Sequence, residues 1–586
     1  MQRREKRIKV AIRDADKRHE ILDEARTKRQ HIAIRNRLLK YENIREDTHA
    51  DMMAKRESQL IEKVKQSGKE RNDEERRRLA MRLKRKREKE KERREREGLD
   101  IIDLQGRNLY HIPEEVYKGV QAQADLSYVT YINVSHNKLL DLPNMVVLWM
   151  AEARKLDTSY NKLTSIPGEV GMMGQLRILN LSFNKLTLLP NELSRLELLE
   201  LLDVSNNELE SLPDDIGNCT SLTRLNIANN KIRFIPHSIG NCQRLVSFQG
   251  GTNLLSCLPD GFTKLRRLER IDFSQNNITK LPDKFGELNK LDVLEMSANQ
   301  LATLPESIGG LTRLKVLRVG QNRLVELPNS IKRCQQLLDV NMSHNEMILL
   351  PEEFGYISKI QYLNISHNHL KNLPDSLGFL RELVVFNARD NEIETLPVEL
   401  GSMKGLCELD LAFNRLKGKL SVCVGMLTLI RKLNVSHNQI KSLPPNVGTM
   451  YMLTELDASF NKIETLPESI GRLVQLKTLH LGTNCLKKVP FSIGKMQELQ
   501  TLDMSANKLR LLPRQIATLS NLRHLGLYNN QLEALPVEFG AMIPSLKVFD
   551  CRRNPLSAYP AKWSGQAEGR VSGYTNSEVV DMLVRF

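Results

Sequence analysis

The sequence predicts an α/β fold in which short parallel strands, one per repeat, stack into an open solenoid behind a long charged helical arm. The prediction rests on a motif that recurs every 23 residues, on one asparagine at a fixed place in each copy, and on a charged first segment without proline. A fixed period of roughly 20–50 residues is typical of repeat architectures. The predicted domains are a basic charged helical arm over residues 1–98, a solenoid of about 20 repeats over 99–560, and a capping segment with a short helix over 561–586.

An asparagine column defines the repeat. From Asn161 to Asn414, eleven consecutive steps are each 23 residues long. A buried asparagine can bond the backbone groups of a turn, because its side chain carries both a donor and an acceptor. We therefore expect a structural ladder rather than a catalytic set. The predicted ladder consists of Asn137, Asn161, Asn184, Asn207, Asn230, Asn253, Asn276, Asn299, Asn322, Asn345, Asn368, Asn391, Asn414, Asn438, Asn461, Asn484, Asn507, Asn530 and Asn554.

The leucines of each copy lie where stacking would bury them. In residues 179–196, LNLSFNKLTLLPNELSRL, Leu179 and Leu181 have the two-residue spacing of a short strand. Leu186 and Leu189 then return to the interior on the other side of the coil. The proline that follows fixes φ and opens the segment on the opposite side. One repeat cannot bury both groups alone, whereas stacked repeats can.

Residues 304–324, LPESIGGLTRLKVLRVGQNRL, resemble the frame LPxxIGxLxxLxxLxLxxNxL of intracellular leucine-rich repeat proteins of the Ras-group and Scribble type. The resemblance extends over roughly residues 100–560. It implies a horseshoe with one parallel strand per repeat on the concave face, and binding of a small GTPase or a phosphatase on that face. The chain departs from the family pattern in its long arm, and it lacks the PDZ, kinase and GTPase domains that many relatives carry.

Candidate binding positions are those of the concave face that the scaffold does not need: four, two and one residues before each ladder asparagine. The first column is mildly acidic and rich in amides, the second holds mostly Ser, Gly or Ala, and the third contains aromatic residues. Exposed aromatic residues resemble interface hot spots, and the alternative is edge-on packing between repeats. Arg318 and Arg389 interrupt their columns without an evident scaffold role. The candidate protein-binding residues are Tyr160, Phe183, Arg318, Arg389, Phe413, Phe460 and His480.

The sequence contains no motif of a common enzyme class. It has no Walker loop, GxSxG, HExxH, kinase signature or CxxC pair. His344 and His367 lie one repeat apart, but a zinc site needs three or four converging ligands. Cys219 and Cys242 also lie one repeat apart, and we expect them to be buried as small hydrophobic residues. The sequence predicts no enzyme activity, no cofactor, no metal and no small-molecule substrate.

The first segment carries most of the excess positive charge. Residues 1–98 contain 34 Lys and Arg against 21 Asp and Glu, whereas the rest of the chain contains 53 against 50. A helix is expected because the segment lacks proline and is rich in strong helix formers. Its sparse apolar residues change heptad register, so a self-sufficient coiled coil is not expected. A basic arm attracts any acidic surface, and the candidates are a filament such as tubulin, other assembly proteins, or RNA.

These observations predict a non-catalytic protein-protein interaction scaffold in a large cytoskeletal assembly, either microtubule-associated or in the axoneme of a cilium or flagellum. One alternative is a signalling adaptor that binds a small GTPase or a phosphatase, and a second is an RNA-bound ribonucleoprotein factor. No apolar run approaches 18 residues, the start lacks a secretory pattern, and the eight cysteines are scattered singly. We therefore expect a cytoplasmic, cytoskeletal protein without a membrane partner.

Overall fold

The computed structural model describes residues 100–113, 129–144, 147, 151–542 and 545–556. The chain divides into two units, Met1–Glu97 and Gly98–Phe586. The predicted arm over residues 1–98 and the predicted cap over 561–586 lie outside the described residues. The domain boundaries therefore stay predictions, and the description below concerns the second unit.

One parallel sheet contains 20 of the strands in the described part of the chain, and neighbouring strands of this sheet follow one another in chain order. Its strands are Asp100–Asp103, Val129–Asn133, Lys155–Asp157, Ile178–Asn180, Leu201–Asp203, Arg224–Asn226, Ser247–Gln249, Arg270–Asp272, Val293–Glu295, Val316–Arg318, Asp339–Asn341, Tyr362–Asn364, Val385–Asn387, Glu408–Asp410, Lys432–Asn434, Glu455–Asp457, Thr478–His480, Thr501–Asp503, His524–Gly526 and Val548–Asp550. The predicted solenoid with one parallel strand per repeat is confirmed.

Each strand is followed by a returning segment that contains a short 3₁₀ helix in most repeats. These helices are Gly168–Met172, Asn191–Arg195, Ile216–Asn218, His237–Asn241, Asp260–Lys264, Phe285–Glu287, Glu306–Gly310, Asn329–Arg333, Glu352–Tyr356, Asp375–Phe379, Val398–Ser402, Val424–Met426, Val447–Thr449, Glu468–Arg472, Phe491–Lys495, Arg514–Thr518 and Val537–Ala541. Most begin directly after the proline of the repeat, which lacks an N–H and has a φ suited to a helix start. The leucines of both sides form one continuous core.

The ladder asparagines close each turn by hydrogen bonds in the interior. Asn299 is representative: its Oδ1 accepts the N–H of Ile278 at 3.0 Å, and its Nδ2 donates to the carbonyls of Phe273 at 2.9 Å and Met296 at 3.0 Å. Each asparagine thus joins its own turn to the preceding repeat. All 19 predicted ladder positions make bonds of this kind, from Asn137 to Asn554.

The residue before each ladder asparagine adopts a left-handed backbone. At these 19 positions φ lies between 52° and 59°, although none of the residues is glycine. This conformation is unfavourable for residues with a Cβ atom, so the bonds of the turn must hold it. As a result, one side chain per repeat projects from the same point at the end of each strand.

The glycine of the returning segment is required by close packing. A Cβ atom at Gly286 would lie 1.7 Å from the carbonyl oxygen of Ser307, and one at Gly217 would lie 1.9 Å from that of Ser238. Both distances are far below van der Waals contact. The glycine therefore allows adjacent 3₁₀ helices to approach each other.

The repeat between Asn414 and Asn438 is one residue longer than the others around it, and it contributes a strand to a second small sheet. Lys417–Lys419 pairs in parallel with Gln439–Ser442. Gly418, the middle residue of the first of these strands, has a φ of 72°. Leu420, which replaces the usual proline, is buried and its N–H donates to the carbonyl of Ser442 at 3.0 Å. The extra residue is thus accommodated by strand pairing without a break in the main sheet.

Within the described ranges, no helix is sufficiently long and apolar to cross a membrane.

Replacement of Asn299 by alanine should destabilise the solenoid by about 1–3 kcal/mol, because the substitution leaves buried backbone groups of the turn without partners. Urea unfolding of the full chain, followed by circular dichroism, measures the effect. The control is Asn289→Ala at an exposed position of the same repeat, which should change stability by less than about 0.5 kcal/mol. Equal effects of the two substitutions would contradict the assigned role of the ladder.

Candidate protein-binding site

The solvent-facing side of the parallel sheet, which we call the strand face, is formed by the first and third residues of each strand. In Glu455–Asp457, for example, the middle residue Leu456 is buried and its two neighbours are partly exposed. The third residue lies four positions before the ladder asparagine, and it belongs to a column that the sequence already identified as a candidate. The first residue was missed, although the two-residue period of a strand places it on the same face.

The missed column adds charged and aromatic groups to the strand face. Its members are Lys155, Ile178, Leu201, Arg224, Ser247, Arg270, Val293, Val316, Asp339, Tyr362, Val385, Glu408, Lys432, Glu455, Thr478, Thr501, His524 and Val548. Over the five strands from Glu408 to Asp503, the first and third residues include five carboxylates and one lysine. This lysine, Lys432, lies 3.1 Å from Glu408. The C-terminal half of the strand face is therefore acidic, in contrast to the net charge of the whole chain.

The third residue of each strand, in the column rich in acidic and amide side chains, also has a structural role. The expectation that the scaffold does not need this column is therefore wrong. Oδ1 of Asp457 accepts the N–H of Ser459 at 3.0 Å and its hydroxyl at 2.6 Å. Asn434 accepts the same pair of bonds from Ser436 at 3.1 and 2.8 Å. These side chains cap the strand end, and either an aspartate or an asparagine can do so.

Arg318 is held between two carboxylates on adjacent strands. Its Nη1 lies 2.5 Å from Oε1 of Glu295 and its Nη2 lies 2.5 Å from Oδ2 of Asp339. Only 26% of the Arg318 side chain is exposed. The expectation that Arg318 has no scaffold role is therefore wrong: its guanidinium bridges two carboxylates that would otherwise repel each other across the sheet.

Burial around this cluster shifts the pKa of two acidic groups. Burial raises the pKa of Glu295 to about 7, against the opposing attraction of Arg318 and with repulsion from Asp272. Burial, assisted by repulsion from Asp339, raises the pKa of Tyr362 to about 12. Oδ1 of Asp339 is buried and has no hydrogen-bond partner among the described residues. The cluster holds more negative charge than one guanidinium can compensate.

The aromatic candidates form face-to-face stacks at the edge of the strand face. Phe413, His437 and Phe460 occupy the left-handed position of three successive repeats, and their ring centroids are 3.9 and 4.1 Å apart. We call this group the second stack, because another stack of rings, described below, lies nearer the N terminus. Phe413 and Phe460 are 39% and 48% exposed. The rings therefore do not pack edge-on as in the alternative interpretation, and they stay accessible to a partner.

Arg389 and the two preceding histidines extend the second stack toward the N terminus. The guanidinium carbon of Arg389 lies 4.5 Å from the centre of the Phe413 ring. His344 and His367 stack at 4.0 Å, and Nδ1 of His367 lies 2.7 Å from Oδ2 of Asp390. This hydrogen bond from His367 lowers the pKa of Asp390. Over these six consecutive repeats, contacts therefore join His344 with His367, and Arg389 with Phe413, along the same edge of the strand face.

Tyr160 and Phe183 form a separate first stack, which begins at His136. Their centroid separations are 4.3 Å for His136 and Tyr160 and 4.1 Å for Tyr160 and Phe183. The structure therefore groups Tyr160 with Phe183, and Arg389 with Phe413 and Phe460, at two distant places on the strand face. His480 lies near the second stack, in register with Asp457 and Asp503 on the neighbouring strands.

The cysteines and the described histidines are the candidates for a thiol or metal centre. Cys219 and Cys242 are buried as expected, and burial raises the pKa of both thiols to about 12. No group of three or more His, Cys, Asp or Glu side chains with metal-binding geometry occurs in the part of the chain that the structure describes.

Comparison with family models gives two matches. The model described as "Leucine-rich repeat region" matches residues 130–272, 414–509 and 468–557. The model described as "Leucine rich repeat" matches residues 250–301 and 312–370. A comparison with curated proteins gives no significant match.

Solved structures with the same fold come from bacteria and plants. A leucine-rich repeat protein of Leptospira interrogans is 31% identical, with a TM-score of 0.53, over 67% of this chain and 93% of that one. The plant peptide hormone receptor RGFR1 in complex with RGF2 is 26% identical, with a TM-score of 0.55, over 76% and 80%. The Arabidopsis receptor kinase HAESA ectodomain, in complex with an IDA peptide hormone ligand, is 25% identical, with a TM-score of 0.54, over 75% and 81%.

The raised pKa of Glu295 predicts a specific pH dependence of stability. Its pKa of about 7 in the folded state exceeds the ordinary value of 4.5, so its contribution favours folding below pH 4.5 and is lost as the pH rises through 7. The unfolding free energy of the wild type, relative to that of Glu295→Gln, should therefore fall by about 1–3 kcal/mol between pH 4.5 and pH 8. Urea unfolding of both proteins across this range measures the difference. A constant difference would contradict the shifted pKa.

Proposed function

Because this chain belongs to the leucine-rich repeat family, whose repeats generally serve as protein-interaction modules, we propose that it is a non-catalytic scaffold of a large cytoskeletal assembly. The strand face binds protein partners, and the basic segment over residues 1–98 attaches the protein to an acidic filament surface such as the microtubule of an axoneme. The proposed location is accordingly the cytoplasm, on the cytoskeleton of a cilium or flagellum.

The observation that carries the scaffold role is the exposed second stack at the edge of the strand face, whose C-terminal half is acidic. Phe413 and Phe460, which are 39% and 48% exposed on either side of His437, form an apolar anchor surface, and aromatic anchors contribute most of the binding energy in many interfaces. The complexes of RGFR1 with RGF2 and of HAESA with an IDA peptide support a protein or peptide as partner.

The filament assignment is supported by the charge of residues 1–98, where cationic residues exceed anionic ones by 34 to 21. Positive charge of this density favours association with acidic surfaces in general. RNA is acidic as well, so the experiment must separate a filament from RNA.

Affinity capture with the full chain as bait tests both parts of the proposal. Three baits are compared in lysate of ciliated cells, with and without ribonuclease: the wild type, a strand-face variant with Phe413→Ala and Phe460→Ala, and an arm variant. In the arm variant, Arg82, Lys84, Arg85, Lys86 and Arg87 are replaced by glutamine. Quantitative mass spectrometry reads the captured proteins.

Tubulin or axonemal proteins should be retained in the presence of ribonuclease and should decrease by about tenfold with the arm variant, because fewer charges attract the filament. A different set of proteins should decrease with the strand-face variant only. Capture of ribosomal proteins that ribonuclease abolishes would replace the filament by an RNA-bound assembly. A GTPase or phosphatase lost with the strand-face variant, without any filament protein, would favour a signalling adaptor.

A further inference from the structure

The second stack has one covered end and one open end. At the covered end, the guanidinium of Arg389 lies over Phe413 at 4.5 Å. At the other end, the repeat after Phe460 supplies Thr483 in the same column, and no ring of a described residue other than His437 stacks on Phe460. Phe460 is 48% exposed. Its outer face is therefore available to a flat group from another molecule.

Carboxylates lie on the strands of the repeats at this open end. Glu455 and Asp457 belong to the same repeat as Phe460, and Asp503 follows two strands later, separated from Asp457 by His480. Asp457 uses Oδ1 to cap Ser459. Glu455 makes no ion pair with any residue that the structure describes. A cationic group on the Phe460 ring would thus be attracted by the negative charge of these strands.

We propose that the open end of the second stack binds an arginine side chain of an extended, arginine-rich segment of the partner protein. The guanidinium lies flat on Phe460, and the carboxylates of Glu455, Asp457 and Asp503 supply the negative charge that attracts the arginine-rich segment. The inference rests on the proposed function, because it specifies the chemistry of the partner that the strand face binds.

Arginine fits this site better than lysine for a geometric reason. The guanidinium is planar, stacks on aromatic rings and donates several hydrogen bonds in its plane, whereas the lysine ammonium is a compact point charge. The protein itself forms the equivalent contact at the other end of the stack, between Arg389 and Phe413. The partner's arginine would complete a row of rings with a guanidinium at each end.

The test uses the purified full chain and a fluorescent peptide of alternating glycine and arginine, with binding measured by anisotropy. Thr483→Phe is the decisive variant: it should cover the outer face of Phe460 with a ring of the protein's own. The left-handed position accepts phenylalanine, since Phe413 and Phe460 occupy it with φ of 56° and 52°, and Thr483 has a φ of 54°. The matched control is Ala298→Phe, the same type of change in the same column eight repeats earlier.

Thr483→Phe and Phe460→Ala should each weaken binding of the arginine peptide by about 3- to 30-fold, the range expected for a cation–π contact. Ala298→Phe should leave it unchanged. A peptide of alternating glycine and lysine should bind the wild type more weakly and should respond little to Thr483→Phe. Equal binding of both peptides, or unchanged binding by Thr483→Phe, would overturn the proposal.

A second pair of variants tests the carboxylates. Glu455→Gln with Asp457→Asn should weaken binding of the arginine peptide by about tenfold, and the fold should be retained because Asn434 caps its strand in the same way as Asp457. Asp283→Asn with Glu306→Gln removes the same charge from exposed positions of the returning segments and should have little effect. Stronger binding of a glutamate peptide than of the arginine peptide would overturn the proposal in favour of an acidic partner.

Failure of this inference is distinguishable from failure of the proposed function. If the strand-face variant loses protein partners in lysate but the arginine peptide does not bind, the strand face is an interface for a different partner chemistry, and the arginine site is overturned. If the peptide binds as described and no partner depends on the strand face in lysate, the scaffold role fails instead.

Discussion

The structure depends on one requirement: the polar backbone groups of every buried turn need partners. The ladder asparagine satisfies this requirement by linking its own turn to the repeat before it. Because the side chain must reach the same backbone groups each time, the repeat length is nearly constant. The same bonds hold the preceding residue at a positive φ, so the requirement that builds the core also fixes one outward-facing side chain per repeat.

The candidate site follows from this fixed position. Parallel strands lie about 4.8 Å apart, so side chains that leave each strand end in the same conformation are separated by a distance close to aromatic stacking. The centroid distances in the second stack, 3.9 and 4.1 Å, agree with this spacing. The sequence only has to place rings in consecutive repeats to obtain a rigid apolar edge. Acidic residues in the adjacent strands then give this edge its electrostatic character.

Most of the fold could be predicted from the sequence, because a strict period constrains every repeat at once. The ladder positions and the parallel strands required only the spacing of Asn and Leu. The site was less predictable, since it depends on contacts across repeats. Arg318 appeared to have no partner because Asp339 belongs to a column that sequence reasoning overlooked, and the stacking geometry of Phe413, His437 and Phe460 depends on a backbone conformation that no residue type at that position indicates.

Site-specific photo-crosslinking in cells tests most directly whether the strand face at the second stack is the partner-binding surface. A photoreactive phenylalanine replaces Phe460 in the full chain, or, as a control, the exposed Phe491 on the returning side of the coil. We expect a discrete crosslinked protein from position 460 that is lost when Thr483→Phe is added, and none of the same protein from position 491. Crosslinking of the partner from position 491 and not from 460 would contradict it.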